Sequence, residues 1–329
     1  MGLLGVVDMA PDFDPTKDLV ELDGRVVIVT GGNRGIGFET VRCLARAGAK
    51  VYLACRNEEA GTDAIQRLKS DGFAPGNGEV IWLKLDLSDP REAKKAAEEF
   101  LKLESRLDIL INNAGMMKGP LELSSDGVSM FVVTNHISPF VFTRTLIPLM
   151  SDTARQTGTD VRIVNLSSDA HRDFPLKEIK VKTIEDLNFD SKAQSNMRAG
   201  LQRYAHTKAL NILWTKTLQK QFDNAEPPIP ITAIAVHPGI VKTFGKDWPL
   251  IVRLYALVLG VEATRGAYNS VFAAASKRVA DDKEKYKGKF IGPKPKIGTL
   301  LQPTLAANND ENAEDLWNTT EGFLRKISL

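Results

Sequence analysis

Short, nearly continuous apolar runs alternate along the chain with longer stretches whose apolar residues recur at helical spacing. Arg25–Thr30 (RVVIVT), Lys50–Cys55 (KVYLAC), Glu79–Leu85, Asp108–Ile111, Val161–Leu166 and Ile231–Val236 are rich in branched residues. They have the pattern of strands buried on both faces. Between them, Gly35–Ala47 carries Ile36, Val41, Leu44 and Ala45 at helical intervals, and Gly48 ends it. Asn57 suits the N-cap of a helix over Glu58–Lys69. Further helices are predicted over Pro90–Glu104, Ser125–Met150 and Leu201–Phe222, the second of them kinked or divided at Pro139. Strands alternating with helices of this length specify parallel βαβ units. The expected fold is α/β, a single Rossmann-type doubly wound parallel sheet with helices on both faces and ligands at the carboxyl ends of its strands.

Composition narrows the picture. A chain of 329 residues with 43% hydrophobic and 26% charged residues is long enough for one large α/β unit. A formal charge of +2 gives no electrostatic reason for a nucleic-acid partner. Two cysteines, Cys43 and Cys55, exclude a disulfide framework and suit a reducing, cytoplasmic setting. The first residues lack a basic region ahead of an apolar core, and position 6 is Val, so neither a signal peptide nor myristoylation is expected. The most apolar stretch, Trp248–Gly260, is too short to span a bilayer and contains Arg253. A buried or lid helix is favoured there over one lying on a membrane. Pro227, Pro228 and Pro230 punctuate a helix-to-strand loop rather than a boundary between units.

The first strand runs directly into Thr30-Gly31-Gly32-Asn33-Arg34-Gly35-Ile36-Gly37. A pyrophosphate must approach backbone N–H groups at a helix start, and side chains at the turn would block it. A glycine turn is also a common tight connection; its place after the first buried strand favours the phosphate reading. The second strand points to the cofactor. Where NAD-binding folds place an acid for the ribose 2′-hydroxyl, this chain has Cys55 followed by Arg56. Arg56, helped by Arg34, can offer a guanidinium to a 2′-phosphate, which points to NADP(H). Asp86, with Leu87 beside it, closes the third strand and can accept from an adenine amino group or cap the next turn. Asn112-Asn113-Ala114-Gly115 follows the fourth strand. Its small residues let the loop lie against a ribose, and its amides can pin neighbouring strand ends.

Tyr204 and Lys208 stand four apart and share a helix face. A nearby ammonium should draw the phenol's acidity toward the working range. Ser167 and Ser168 end the fifth strand, Asn135 lies in the preceding helix, and Pro238-Gly239 follows the sixth strand with Thr243 beyond. Each feature is common alone; their order and strand-end placement are specific.

With these motifs the chain resembles the short-chain dehydrogenase/reductase family over roughly residues 22–292. VYLACR at 51–56, SSDAH at 167–171 and His237-Pro238-Gly239 are similar to the branch of retinol-dehydrogenase-like and WW-domain-oxidoreductase-like proteins, and to fungal reductases of lipophilic metabolites. The resemblance implies a catalytic tetrad of Asn135, Ser168, Tyr204 and Lys208. Tyr204 would pass the proton to the carbonyl oxygen, and Ser168 would hydrogen-bond that oxygen. Lys208 would tune Tyr204 and hold the nicotinamide ribose, with Asn135 supporting Lys208 through water. Gly31, Gly35 and Gly37 would cradle the pyrophosphate, Val241 and Thr243 would contact the nicotinamide amide, and Asn33, Arg34, Ile36, Pro238 and Gly239 would also touch the cofactor. Arg56, Asp86, Leu87, Asn113, Ala114 and Gly115 would contact the rest of an NADP(H) molecule.

Two regions depart from the family pattern. The interval from Ser168 to Tyr204 is long, and its polar segment Asp173–Gly200 should border the substrate entrance. The stretch 293–329 is an extension of no assigned role, as is 1–21 at the other end. Residues 244–260, with Trp248, Leu250, Ile251, Leu254, Tyr255 and Leu257, suit a lid over a small lipophilic carbonyl or alcohol substrate, or a face against a second copy in a homodimer. The four histidines show no metal-ligand spacing, and no metal is expected. The competing readings are an idle NADP-binding sensor or scaffold, against which the intact Ser168–Tyr204–Lys208 set argues, and a sugar-nucleotide epimerase or dehydratase. Phe38 stands where that second group usually has its third glycine.

Overall fold

The continuous apolar runs are strands of one sheet. A computed structural model describes residues 13–156, 160–173, 178–191, 196–242 and 260–329. Its strands are β1 (Val26–Thr30), β2 (Lys50–Cys55), β3 (Glu79–Lys84), β4 (Ile109–Asn112), β5 (Val161–Leu166), β6 (Ile231–Val236), β7 (Phe290–Gly292) and β8 (Thr299–Leu300). They lie in the order β3-β2-β1-β4-β5-β6-β7-β8. All neighbours are parallel except β7 and β8. Because β1 has β2 on one side and β4 on the other, strand order reverses there. The crevice at the ends of β1 and β4 is where a doubly wound sheet receives its ligand.

Successive residues of each strand serve opposite faces. Val26, Ile28 and Tyr52 join a core with helices α3 (Pro90–Leu103), α4 (Ser138–Arg155) and α5 (Asn196–Asn224). Val27, Val29, Val51 and Leu53 join a second core with α1 (Gly35–Arg46), α2 (Glu58–Asp71) and α6 (Ala263–Ala275). This two-sided burial is why the runs lack polar alternation.

Three features depart from the sequence expectation. The helix expected over Ser125–Met150 begins at Met130 and passes through a π-helical turn, Val133–Ile137, before α4. The interruption therefore lies ahead of Pro139. That proline removes an N–H from a helix already running through Val133–Ile137, and its ring crowds the carbonyl four residues back, in the π-helical turn. Second, α5 starts at Asn196, five residues before the predicted start. Third, the C-terminal stretch is built into the fold. It supplies β8 and helix α7 (Asp310–Lys326), whose Leu316, Phe323 and Leu324 are buried in the first core. At about 1.5–3 kcal/mol for each large apolar side chain removed from water, these three alone stabilise the sheet's α5 side by several kcal/mol. Phe13, Leu19 and Leu22 bury into the second core in the same way.

Candidate active site

The loop after β1 is drawn onto the sheet by its own backbone. Gly31 N–H donates to the Ala54 carbonyl of β2 at 2.7 Å. Gly31 and Gly35 have φ of +67° and +57°, values that favour glycine. Thr30 Oγ1 accepts from the N–H groups of Asn113 (3.0 Å) and Ala114 (2.9 Å), and Asn113 Nδ2 donates to the Thr30 carbonyl at 2.7 Å. The glycine loop and the loop after β4 are thus tied together across the crevice.

A Cβ on Gly37 would lie 2.5 Å from Asn113 Nδ2 and nearer still to the Gly31 carbonyl oxygen, so the cradle closes only around hydrogen at that position. Helix α1 has no acid in its first turn, and its N-cap residue, Arg34, makes no side-chain cap. Its first N–H groups and dipole are left for an anion. Arg34 and Arg56 are exposed, and no ion pair engages either among the described residues. Arg67 of α2 donates to the Asn33 carbonyl at 3.4 Å and lies 4.6 Å from the centre of the Phe38 ring. The residues present fit a phosphate-rich dinucleotide.

Other expected cofactor residues take varied places. Asp86 Oδ1 accepts from Ser88 N–H at 2.9 Å, a local cap, and Leu87 is buried. Gly239 has φ of +89°. Val241 bridges Val261, and its side chain lies against the backbone of Gly266, where a Cβ would also meet Ile36. Thr243 lies outside the described residues, as does the expected lid 244–260 except for Gly260.

Asparagine amides join the strand ends. Asn112 Nδ2 donates to Asn165 Oδ1 (2.8 Å) and Thr143 Oγ1 (2.9 Å), and Asn165 Nδ2 donates to Thr215 Oγ1 of α5 at 2.9 Å. Asn135 lies in the π-helical turn, a distortion frequent at functional sites. Its Oδ1 accepts from Met116 N–H at 2.7 Å, and its Nδ2 donates to the Met116 carbonyl and Thr207 Oγ1, each at 2.9 Å. Thr207 Oγ1 in turn donates to the Tyr204 carbonyl at 2.8 Å. A Cβ on Gly115 would come within 3.3 Å of Asn135 Oδ1 and 3.5 Å of Lys208 Nζ, so this bare backbone lets the two approach.

Tyr204, Lys208 and Ser168 meet at the carboxyl end of β5. The Ser168 side chain lies close enough to the Tyr204 hydroxyl to favour its ionised form, and Ser168 Oγ accepts from Ala170 N–H at 3.1 Å. Lys208 Nζ donates to the Leu166 carbonyl at 2.7 Å and lies 5.5 Å from the centre of the Tyr204 ring. Ser167 takes another part: its Oγ donates to the Lys208 carbonyl at 2.6 Å and ties α5 to the strand end. Burial pushes the Tyr204 phenol up to about 12, opposed by the Ser168 hydrogen bond, and pushes Lys208 down to about 8. Burial rather than the lysine sets the direction for Tyr204, and the one opposing influence is Ser168. Sequence reasoning missed Thr207, Met116 and the Leu166 carbonyl. The last two act through backbone atoms, which residue identity does not reveal.

Comparison with known proteins agrees with this geometry. Residues 25–177 match the family model described as short chain dehydrogenase. A short-chain dehydrogenase/reductase of Armillaria gallica is 42% identical over 319 residues, 94% of this chain and 96% of that protein. Retinol dehydrogenase 12 of Bos taurus is 36% identical over 304 residues, 92% of this chain and 86% of that protein. Among solved structures, a blue fluorescent protein from a metagenomic library, in complex with NADPH, aligns with a TM-score of 0.59 at 26% identity, covering 85% of this chain and 99% of that one. With a reversed-order parallel sheet, a glycine loop at its switch point and relatives matched nearly end to end, the chain belongs to the short-chain dehydrogenase family, oxidoreductases of CH–OH or C=O groups.

Proposed function

We propose that this protein transfers hydride between NADP(H) and the carbonyl, or the primary or secondary alcohol, of a small lipophilic molecule. The observation that carries the reading is Lys208 Nζ 5.5 Å from the centre of the Tyr204 ring and held on the Leu166 carbonyl, with Ser168 at the same strand end beside the glycine loop. The NADPH-bound blue fluorescent protein supports the cofactor, and retinol dehydrogenase 12 supports the substrate class. Arg34 and Arg56, free of ion pairs among the described residues, with Cys55 in place of an acid, also support NADP(H).

When bound, the nicotinamide supplies or accepts the hydride. The chain's own residues manage the proton. A phenol pushed up to about 12 keeps its proton at neutral pH, the form needed to donate to a carbonyl oxygen during reduction. Ser168 Oγ receives the Ala170 N–H, so its own proton is available to the substrate oxygen. Lys208, held by the Leu166 carbonyl, sets positive charge beside the phenolate that forms. Asn135 holds the Met116 backbone and, through Thr207, the helical turn that carries Tyr204.

NADPH absorbance followed across a panel of lipophilic ketones and aldehydes tests the reading. Tyr204→Phe should abolish turnover while NADPH binding survives, because the ring's shape is kept and only the proton donor is lost. Near-normal kcat in that variant would overturn the mechanism.

A further inference from the structure

Ser168 is the first residue past the support of the sheet. The Ser167 N–H still donates to the Val236 carbonyl at 2.7 Å; beyond it the chain turns away from β5. Besides the Ala170 N–H on its hydroxyl oxygen, the orientation of Ser168 depends on the peptide plane joining it to Asp169, and both ends of that plane are held by imidazoles. The Ser168 carbonyl meets His171 Nδ1 at 2.6 Å, and the Asp169 N–H meets His237 Nδ1 at 3.4 Å.

The proton positions follow from the partners. A carbonyl only accepts, so His171 carries its proton on Nδ1, and its Nε2 is an acceptor. That Nε2 faces the Thr304 N–H at 3.4 Å. An N–H only donates, so His237 Nδ1 is bare and its proton is on Nε2, 3.6 Å from Asp169 Oδ2. The two rings are opposite neutral tautomers. Burial keeps both below the usual histidine range. His171 is 2% exposed and rests edge-on against Phe290 of β7, ring centres 5.7 Å apart. His237 is anchored by Asn269 Nδ2, which donates to its carbonyl at 3.0 Å.

We propose that His171 and His237 are positioning residues that clamp the Ser168–Asp169 peptide plane and so aim the Ser168 hydroxyl at the substrate oxygen. Through the Thr304 N–H, the C-terminal segment sets the tautomer of one jaw. The inference rests on the reading of Ser168 as the group that binds that oxygen.

Asparagine and glutamine separate the clamp from simple packing. The Asn amide falls near the place of Nδ1 and can donate or accept there; the Gln amide falls near Nε2 and cannot. His171→Asn should keep kcat close to the parent value. His171→Gln should lose kcat by roughly tenfold, with NADPH affinity unchanged, because a hydroxyl off its line fails mainly in the transition state. His237→Asn and His237→Gln should follow the same order, and they decide the matter if His171→Gln does not fold. Equal kcat in the Asn and Gln variants of both positions, or full kcat in both Gln variants, would overturn the clamp. Ser168→Ala runs in parallel. If it turns over normally, the reading of Ser168 fails; if it is inactive while the Gln variants are normal, the clamp alone fails.

Discussion

Replacing Gly37 by alanine tests the phosphate loop at its tightest point. The added methyl would stand 2.5 Å from Asn113 Nδ2 and nearer to the Gly31 carbonyl oxygen, where ordinary contacts begin near 3.4 Å. The loop or Asn113 must therefore move by about 1 Å, as judged from the overlap that close-packed interiors refuse. Moving Asn113 puts its 2.7 Å bond to the Thr30 carbonyl at risk, worth about 1 kcal/mol. Overpacking adds about 1–3 kcal/mol, while replacing a glycine within a helix returns about 0.5–1 kcal/mol. The net expectation is a destabilisation of about 1–3 kcal/mol. A loop displaced by that distance also misdirects the N–H groups of α1, so NADPH affinity should fall at least roughly tenfold. Urea unfolding and a fluorescence titration with NADPH read the two effects. Gly322→Ala in α7 is the control. Its added methyl would meet nothing nearer than Arg325 Nη2 at 3.8 Å, so stability should hold or rise and affinity should not change. Parental stability and affinity in Gly37→Ala would refute the account of the cradle.

Further outcomes are expected. Arg56→Asp should weaken NADPH binding and spare NADH, read by titration of both; equal loss for the two would remove the 2′-phosphate role. The rate of carbonyl reduction should decline as pH rises through about 8, where Lys208 gives up its charge; a profile that stays level across that value would contradict its role. The buried His136 and His206 are held neutral, at about 3 and about 4, against about 6.5 in an unfolded chain. The unfolded state thus binds the protons first, and stability present above about pH 6.5 is lost as pH falls toward those values, by up to about 1.4 kcal/mol per pH unit for each ring. Urea midpoints measured across that range should show a shallower slope for His136→Phe; an unchanged slope would exclude His136 as a source.

The chain by itself determined the sheet and much of the site. Val161–Leu166 and Ile231–Val236 coincide with β5 and β6 because a strand covered on both faces is an unbroken apolar run, visible without any partner. Asn57 caps α2 as its position before a helical pattern implied, accepting from Ala60 N–H at 2.7 Å. Tyr204 and Lys208 share a helix face through local geometry alone. Tertiary structure decided the rest. Strands β7 and β8, three and two residues long, exist only by pairing with an existing edge. Helix α7 has a legible apolar spacing, but only packing shows that Leu316 and Phe323 close the core over α5. The π-helical turn at Asn135, the plane held by His171 and His237, and the Leu166 carbonyl under Lys208 join atoms far apart in the chain, many of them backbone atoms that every residue carries. The acidity of Tyr204 reversed the local expectation for the same reason. Sequence showed an ammonium four residues away, whereas the fold supplied the desolvation that sets the direction.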